Sequence, residues 1–109
     1  MKHYVCSQAD LLEKKKIRVL INDRAILLVV HDGRPYAILD KCPHKGAPLS
    51  PGKYEDGIIQ CKEHGLMIDI TKAKVVPSAK ANMLVPDISA HDLKKYVAVI
   101  ENDKVFIVI

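Results

Sequence analysis

Residues 42–52 read CPHKGAPLSPG, and residues 61–65 read CKEHG. Each stretch pairs one cysteine with one histidine and sets a glycine one or two residues beyond. Sixteen residues separate His44 from Cys61. Thiolates and imidazoles are the donors that hold zinc and iron, so two such pairs in two short loops suggest one metal centre shared between them. Cys42 and His44 are one residue apart, and Cys61 and His64 are two apart. Gly46 and Gly65 allow sharp backbone turns. Pro43, Pro48 and Pro51 stiffen the first loop and reduce the entropy lost in holding it. Ile58 and Ile59 form a short apolar patch between the loops. The middle of the chain, Lys41 to Gly65, therefore reads as loop, strand, loop.

Outward from this core the chain reads as strands. Towards the N-terminus, Tyr4 to Ser7 suggests a first strand. Gln8 to Leu12 suggests one helical turn capped by Ser7. Ile17 to Ile21 and Ala25 to Val30 are apolar runs joined by Asn22-Asp23-Arg24. Asp32-Gly33 marks a tight turn before a strand from Tyr36 to Leu39. Towards the C-terminus, Leu66 to Ile70 reads as a strand, and a turn at Thr71 to Ala73 leads to Val75 and Val76. Tyr96 to Ile100, the turn Asn102-Asp103 and Val105 to Ile109 form a terminal hairpin. Only Ala79 to Lys95 resists an all-β reading. A helical turn is expected there after Pro86, capped by Asp87 or Ser89.

The composition agrees. The chain has 109 residues, enough for one domain, and 49% of them are hydrophobic. With no tryptophan and one phenylalanine, its core must be Val, Ile and Leu, which favours strands. The formal charge is +4, but the lysines are scattered. Lys14 to Lys16, the only run, reads as solubilising. Without aromatic platforms for bases, no nucleic-acid partner is expected. No secretory leader or membrane-length apolar stretch is seen, and three cysteines do not make a disulfide framework. The expectation is a cytoplasmic monomer. Cys6 reads as a buried free thiol, and His3, His31 and His91 as surface or turn histidines.

The pattern Cys42-Pro43-His44 and Cys61-Lys62-Glu63-His64-Gly65 closely resembles the Rieske iron–sulfur family. The flanking stretches YAILDKCPHKGAPLS and HGLMID extend the resemblance, which runs from about Tyr4 to Val76 and resumes in the final hairpin. It implies one Rieske domain over residues 1–109, an all-β antiparallel sandwich or barrel with a small inserted cluster-binding subdomain at about residues 40–70. It also implies one [2Fe–2S] cluster per chain, with Cys42 and Cys61 on one iron and His44 and His64 on the other. Two ferric ions, two sulfides and two thiolates sum to zero charge, so the cluster accepts an electron more readily than an all-cysteine one. The function implied is one-electron transfer, not catalysis, between partners such as a reductase and a terminal oxygenase. The small subunit of an assimilatory nitrite reductase shares the fold but often lacks the four ligands. A structural zinc-binding interaction module uses the same donor types, although zinc motifs seldom place ligands only one residue apart.

Departures from the family shape further expectations. Some members join their loops by a disulfide over the cluster, and its positions here are Ala47 and Glu63. A Thr-Gly turn is replaced by Lys72-Ala73. In high-potential relatives a serine and a tyrosine donate to cluster sulfurs, and here Leu66 and Ile68 stand in their places. A potential near the low end of the range, ~−150 mV, is expected. Around the loops Lys41, Lys45, Lys53 and Lys62 balance Asp40, Glu55, Asp56 and Glu63. That balance suggests an apolar docking contact through Pro43, Pro48 and Leu49, with weak salt dependence.

Overall fold

The computed structural model describes residues 1–109. Ten antiparallel strands form two sheets. β1 (Lys2–Ser7), β2 (Lys16–Ile21), β3 (Arg24–His31), β4 (Arg34–Leu39), β9 (Lys95–Glu101) and β10 (Lys104–Val108) make a nearly closed barrel in the order β1-β10-β9-β4-β3-β2. Inserted between β4 and β9 is a second sheet of short strands, β5 (Lys53–Glu55), β6 (Ile58–Gln60), β7 (Met67–Asp69) and β8 (Lys74–Val75). The expected all-β architecture with its inserted subdomain is what the chain adopts.

β3 joins the two parts. Leu27, Val29 and, on β4, Ile38 pack with the core of the small sheet, which includes Leu49, Ile59, Leu66 and Ile68. Ile26, Leu28 and Ala37 alternate to the other side and pack with Leu11, Val105 and Ile107 inside the barrel. Burial on both faces is why Ala25 to Val30 is uniformly apolar where a half-buried strand would alternate.

The barrel hairpins turn at Asn22-Asp23, Asp32-Gly33 and Asn102-Asp103, all at positive φ. This geometry matches the twist of the flanking strands, and Asn, Asp and Gly adopt it most easily. Asp56-Gly57 turns the β5–β6 hairpin in the same way. In the next hairpin Ala73 takes a left-handed conformation, φ 55°. Asp69 steadies that turn by accepting from the amide of Thr71 (3.0 Å) and from its hydroxyl (2.7 Å).

Three local expectations change. The first helix, α1 (Gln8–Lys14), is longer than the single turn expected, and Ser7 caps it by accepting from the Asp10 amide. The 79–95 segment holds two elements: α2 (Ala79–Leu84), capped by Ser78, and a 3₁₀ turn at Ile88–His91 capped by Asp87. Strand β5, Lys-Tyr-Glu, has no apolar run to announce it and exists through pairing with β6.

Candidate metal centre

The two Cys–His loops leave the small sheet at one end and have the same backbone shape. In the first, the Cys42 amide donates to the Ala47 carbonyl (2.7 Å), and the Gly46 amide donates to the Cys42 carbonyl (2.8 Å). In the second, Cys61 bonds to Leu66 (2.7 Å) and Gly65 to Cys61 (2.9 Å) in the same sense. Gly46 and Gly65 sit at φ +77° and +75°, which side chains resist, so glycine sets both loops.

These loops bring all four candidate residues together as two pairs. Cys42 and Cys61 are buried (1% and 2% exposed), and their side chains interact. Burial pushes the Cys42 thiol up to about 11, against the pull of the neighbouring His44 and Lys45 amides. His44 is half-buried and His64 exposed. Their rings meet edge to face with centroids 4.6 Å apart. Desolvation lowers the His44 pKa, helped by His64 and Lys45. No three of the protein's His, Cys, Asp and Glu side chains converge on a single-ion position. A buried thiol pair beside an outer imidazole pair fits a two-iron cluster, which takes two protein ligands on each iron.

Three further residues shape the site, and none is one of the four candidate ligands. Asp40, at the end of β4, is buried. Its Oδ1 accepts from the amides of Leu49 (2.7 Å) and Ser50 (2.8 Å), and its Oδ2 from Arg18 Nε (2.8 Å). It ties the far limb of the first loop to the barrel. Lys16 donates to the carbonyls of Ser50 and Gly52, so it is not the solubilising residue its run suggests. At Gly52 a side chain is impossible without movement, because a Cβ would stand 1.9 Å from the Gln60 carbonyl oxygen.

The expected docking contact needs correction. Leu49 is fully buried and cannot meet a partner, whereas Pro48 is exposed and Pro43 half-exposed. Asp40 is consumed internally. Glu55 and Asp56 lie at the turn of the β5–β6 hairpin, the opposite end from Cys61. The charge balance counted along the sequence therefore does not exist around the loops.

The other singled-out residues lie elsewhere. Cys6 is only partly buried on β1, next to a bulge, and burial raises its pKa. His31 sits beside Tyr36 and Asp32, and His91 Nε2 bonds the Val85 carbonyl (2.7 Å). Leu66 and Ile68 are buried and carry no donor.

A nearly closed antiparallel barrel with a small inserted sheet, bearing two matched Cys–His loops at one end, defines an iron–sulfur β domain. The chain belongs to the Rieske [2Fe–2S] domain family, whose profile matches residues 1–99. The cofactor of that family is a [2Fe–2S] cluster. The chain is 36% identical over 64 residues to a vanillate O-demethylase oxygenase subunit from Pseudomonas sp. strain HR199, covering 59% of this chain and 18% of that one. It is 36% identical over 61 residues to the ferredoxin component of an alkene monooxygenase system from Xanthobacter autotrophicus, covering 55% of this chain and 50% of that one. The ferredoxin of carbazole 1,9a-dioxygenase from Nocardioides aromaticivorans IC177 superposes with a TM-score of 0.81 over 98% of this chain and 96% of that one. At 16% identity that likeness shows the fold. The chain spans about a fifth of the length of several curated relatives it matches. No helix is long and apolar enough to cross a membrane.

Proposed function

We propose that this chain is a one-electron carrier of the ferredoxin kind. Cys42 and Cys61 hold one iron of the cluster, and His44 and His64 hold the other. The observation that carries this reading is the pairing of two buried thiols beside two outer imidazoles in matched loops. When bound, the cluster supplies a one-electron couple at a potential above that of all-cysteine [2Fe–2S] centres. The protein's part is to hold the ligands on a stiff frame, keep water from the sulfurs with Leu49, Ile59 and Leu66, and leave the His64 edge open to a partner. Electron exchange through that edge suits a small, transient contact. The context favoured is a multicomponent oxygenase system, with a reductase as donor and an oxygenase as acceptor. The ferredoxin component of the alkene monooxygenase system and the similarity to oxygenase subunits support it.

A single zinc ion needs all four donors around one point, and the split into two pairs speaks against it. Purified protein should be coloured, contain two irons and two sulfides per chain, and give a Rieske-type paramagnetic signal on one-electron reduction. His64→Ala should lose the cluster or bind it weakly. A colourless protein with one zinc per chain would end the carrier reading, and an unchanged cluster in His64→Ala would remove His64 from the ligand set.

A further inference from the structure

The surface around the two histidines is positively charged. Lys45 follows His44 directly, and Lys62 follows Cys61; both are exposed. Lys41 lies over the first loop, its Cε 3.1 Å from where a Cβ on Gly46 would stand. Lys80, from α2, reaches the second loop, its Nζ 2.8 Å from the corresponding point on Gly65. These four lysines come from three parts of the chain, and none forms an ion pair. Opposing charge is sparse. Glu63 is the one exposed carboxylate within the two ligand loops. Asp92 lines the same cleft as His44 but pairs with Lys74 at 3.8 Å. Glu55 sits at the remote hairpin turn and pairs with Lys53 at 3.7 Å.

We infer that Lys41, Lys45, Lys62 and Lys80 form a docking collar for a redox protein whose electron-transfer face is rich in carboxylates. This rests on the carrier reading above. A small interface gains little orientation from buried area, so unpaired charge around the open histidine edge would steer the encounter. The collar replaces the apolar, salt-indifferent contact that the linear charge count suggests.

The test uses the holoprotein, reduced by one electron and reoxidised in a stopped-flow mixer. Ferricyanide is the anionic oxidant and tris(phenanthroline)cobalt(III) the cationic one; each takes one electron. Between ~0.01 M and ~0.1 M salt the screening length falls from ~30 to ~10 Å. The ferricyanide rate should fall about threefold or more, and the cobalt rate should rise. Lys45→Gln should flatten both slopes. Lys104→Gln makes the same change in net charge at the remote end of the barrel, since β9 runs from Lys95 beside Ile38 away to Glu101, ~20 Å at strand rise. It should leave both slopes nearly unchanged.

A second readout is independent of rate. A carbodiimide joins a lysine amine to a carboxylate as an amide, and the water lost converts the reagent to a urea. With acidic flavodoxin as the probe, coupled peptides should contain Lys41, Lys45, Lys62 or Lys80. Flat slopes, equal effects of the two variants, or coupling spread evenly to Lys14, Lys72 and Lys104 would overturn the collar. Failure of the carrier reading looks different: the purified protein would show no redox-active cluster before any oxidant or probe is added.

Discussion

Asp40 offers a sharp test of what holds the first ligand loop, because its two oxygens have separate partners. Oδ1 serves the Leu49 and Ser50 amides, and Oδ2 serves Arg18. The Asp40 side chain is 0% exposed and that of Arg18 is 47% exposed. Asp40→Asn keeps one oxygen for both amides and turns a donor towards Arg18, which can swing into water. Loss of a pair with a half-exposed arginine costs ~0–1 kcal/mol. Changing two charge-assisted bonds into neutral ones costs ~1 kcal/mol each. Asn should therefore cost about 2–3 kcal/mol. Asp40→Ala removes the acceptor altogether and leaves two amides without it at ~1–3 kcal/mol each. With the small void added, Ala should cost about 3–6 kcal/mol. A gap of ~2 kcal/mol or more is a factor of about thirty, at ~1.4 kcal/mol per tenfold. Hydrogen exchange at the Leu49 and Ser50 amides reads the loop directly, and bleaching of the visible absorption at fixed temperature reads cluster retention. Ala should exchange about thirtyfold faster than Asn and bleach faster. If Asn and Ala behave alike, the ion pair is the anchor. If neither differs from wild type, Asp40 does not anchor the loop.

Two further substitutions probe the second loop and the small sheet. Leu66→Ser restores a sulfur donor and should raise the midpoint potential by tens of millivolts, with ~59 mV per tenfold for one electron; removing a fully buried leucine should also cost ~2–5 kcal/mol in stability. Protein-film voltammetry decides it, and a wild-type midpoint above ~+100 mV in place of ~−150 mV would refute the argument from missing donors. Gly52→Ala drives a Cβ into the Gln60 carbonyl and should cost ~1–3 kcal/mol or more, read as a lower melting temperature. An unchanged melting temperature would show that β5 can shift freely.

What could be read from the chain was what is local in it. Each ligand loop carries its own cysteine, histidine and glycine within five residues or fewer, and the tight turns carry Asn, Asp or Gly at the turn itself. The Ala25 to Val30 run announced a buried strand. What could not be read depends on partners distant along the chain. Asp40 looks like any loop-flanking acid until the Leu49 and Ser50 amides fold back on it. Lys16 looks like part of a solvated run until Ser50 and Gly52 come beneath it. Glu55 and Asp56 are close to Cys61 in sequence but lie at the far end of a hairpin, whereas Lys80 is distant in sequence and lies over Gly65. Leu49 sits among prolines and glycines, a context that suggests exposure, yet the returning loop places it in the core.

The unequal spacing of the two motifs follows from the matched loops. If the loops are aligned by their shared hydrogen bonds, Cys42 falls on Cys61, Gly46 on Gly65 and Ala47 on Leu66. His44 then falls on Glu63, and Lys45 on His64. Cys-x-His and Cys-x-x-His are thus not loops of different length. They are one loop shape with the imidazole on its second position in one copy and on its third in the other, and this offset accompanies rings that meet edge to face at 4.6 Å. Of the second and third turn positions, each loop consequently leaves one without a candidate ligand, Lys45 in the first and Glu63 in the second, and both are exposed. Substitutions there change the charge beside the histidines without changing the donor set. In the proposed reading, ligation and partner preference are therefore written in separate residues, which is why the motif announces the cluster while the partner must be read from the surface around it.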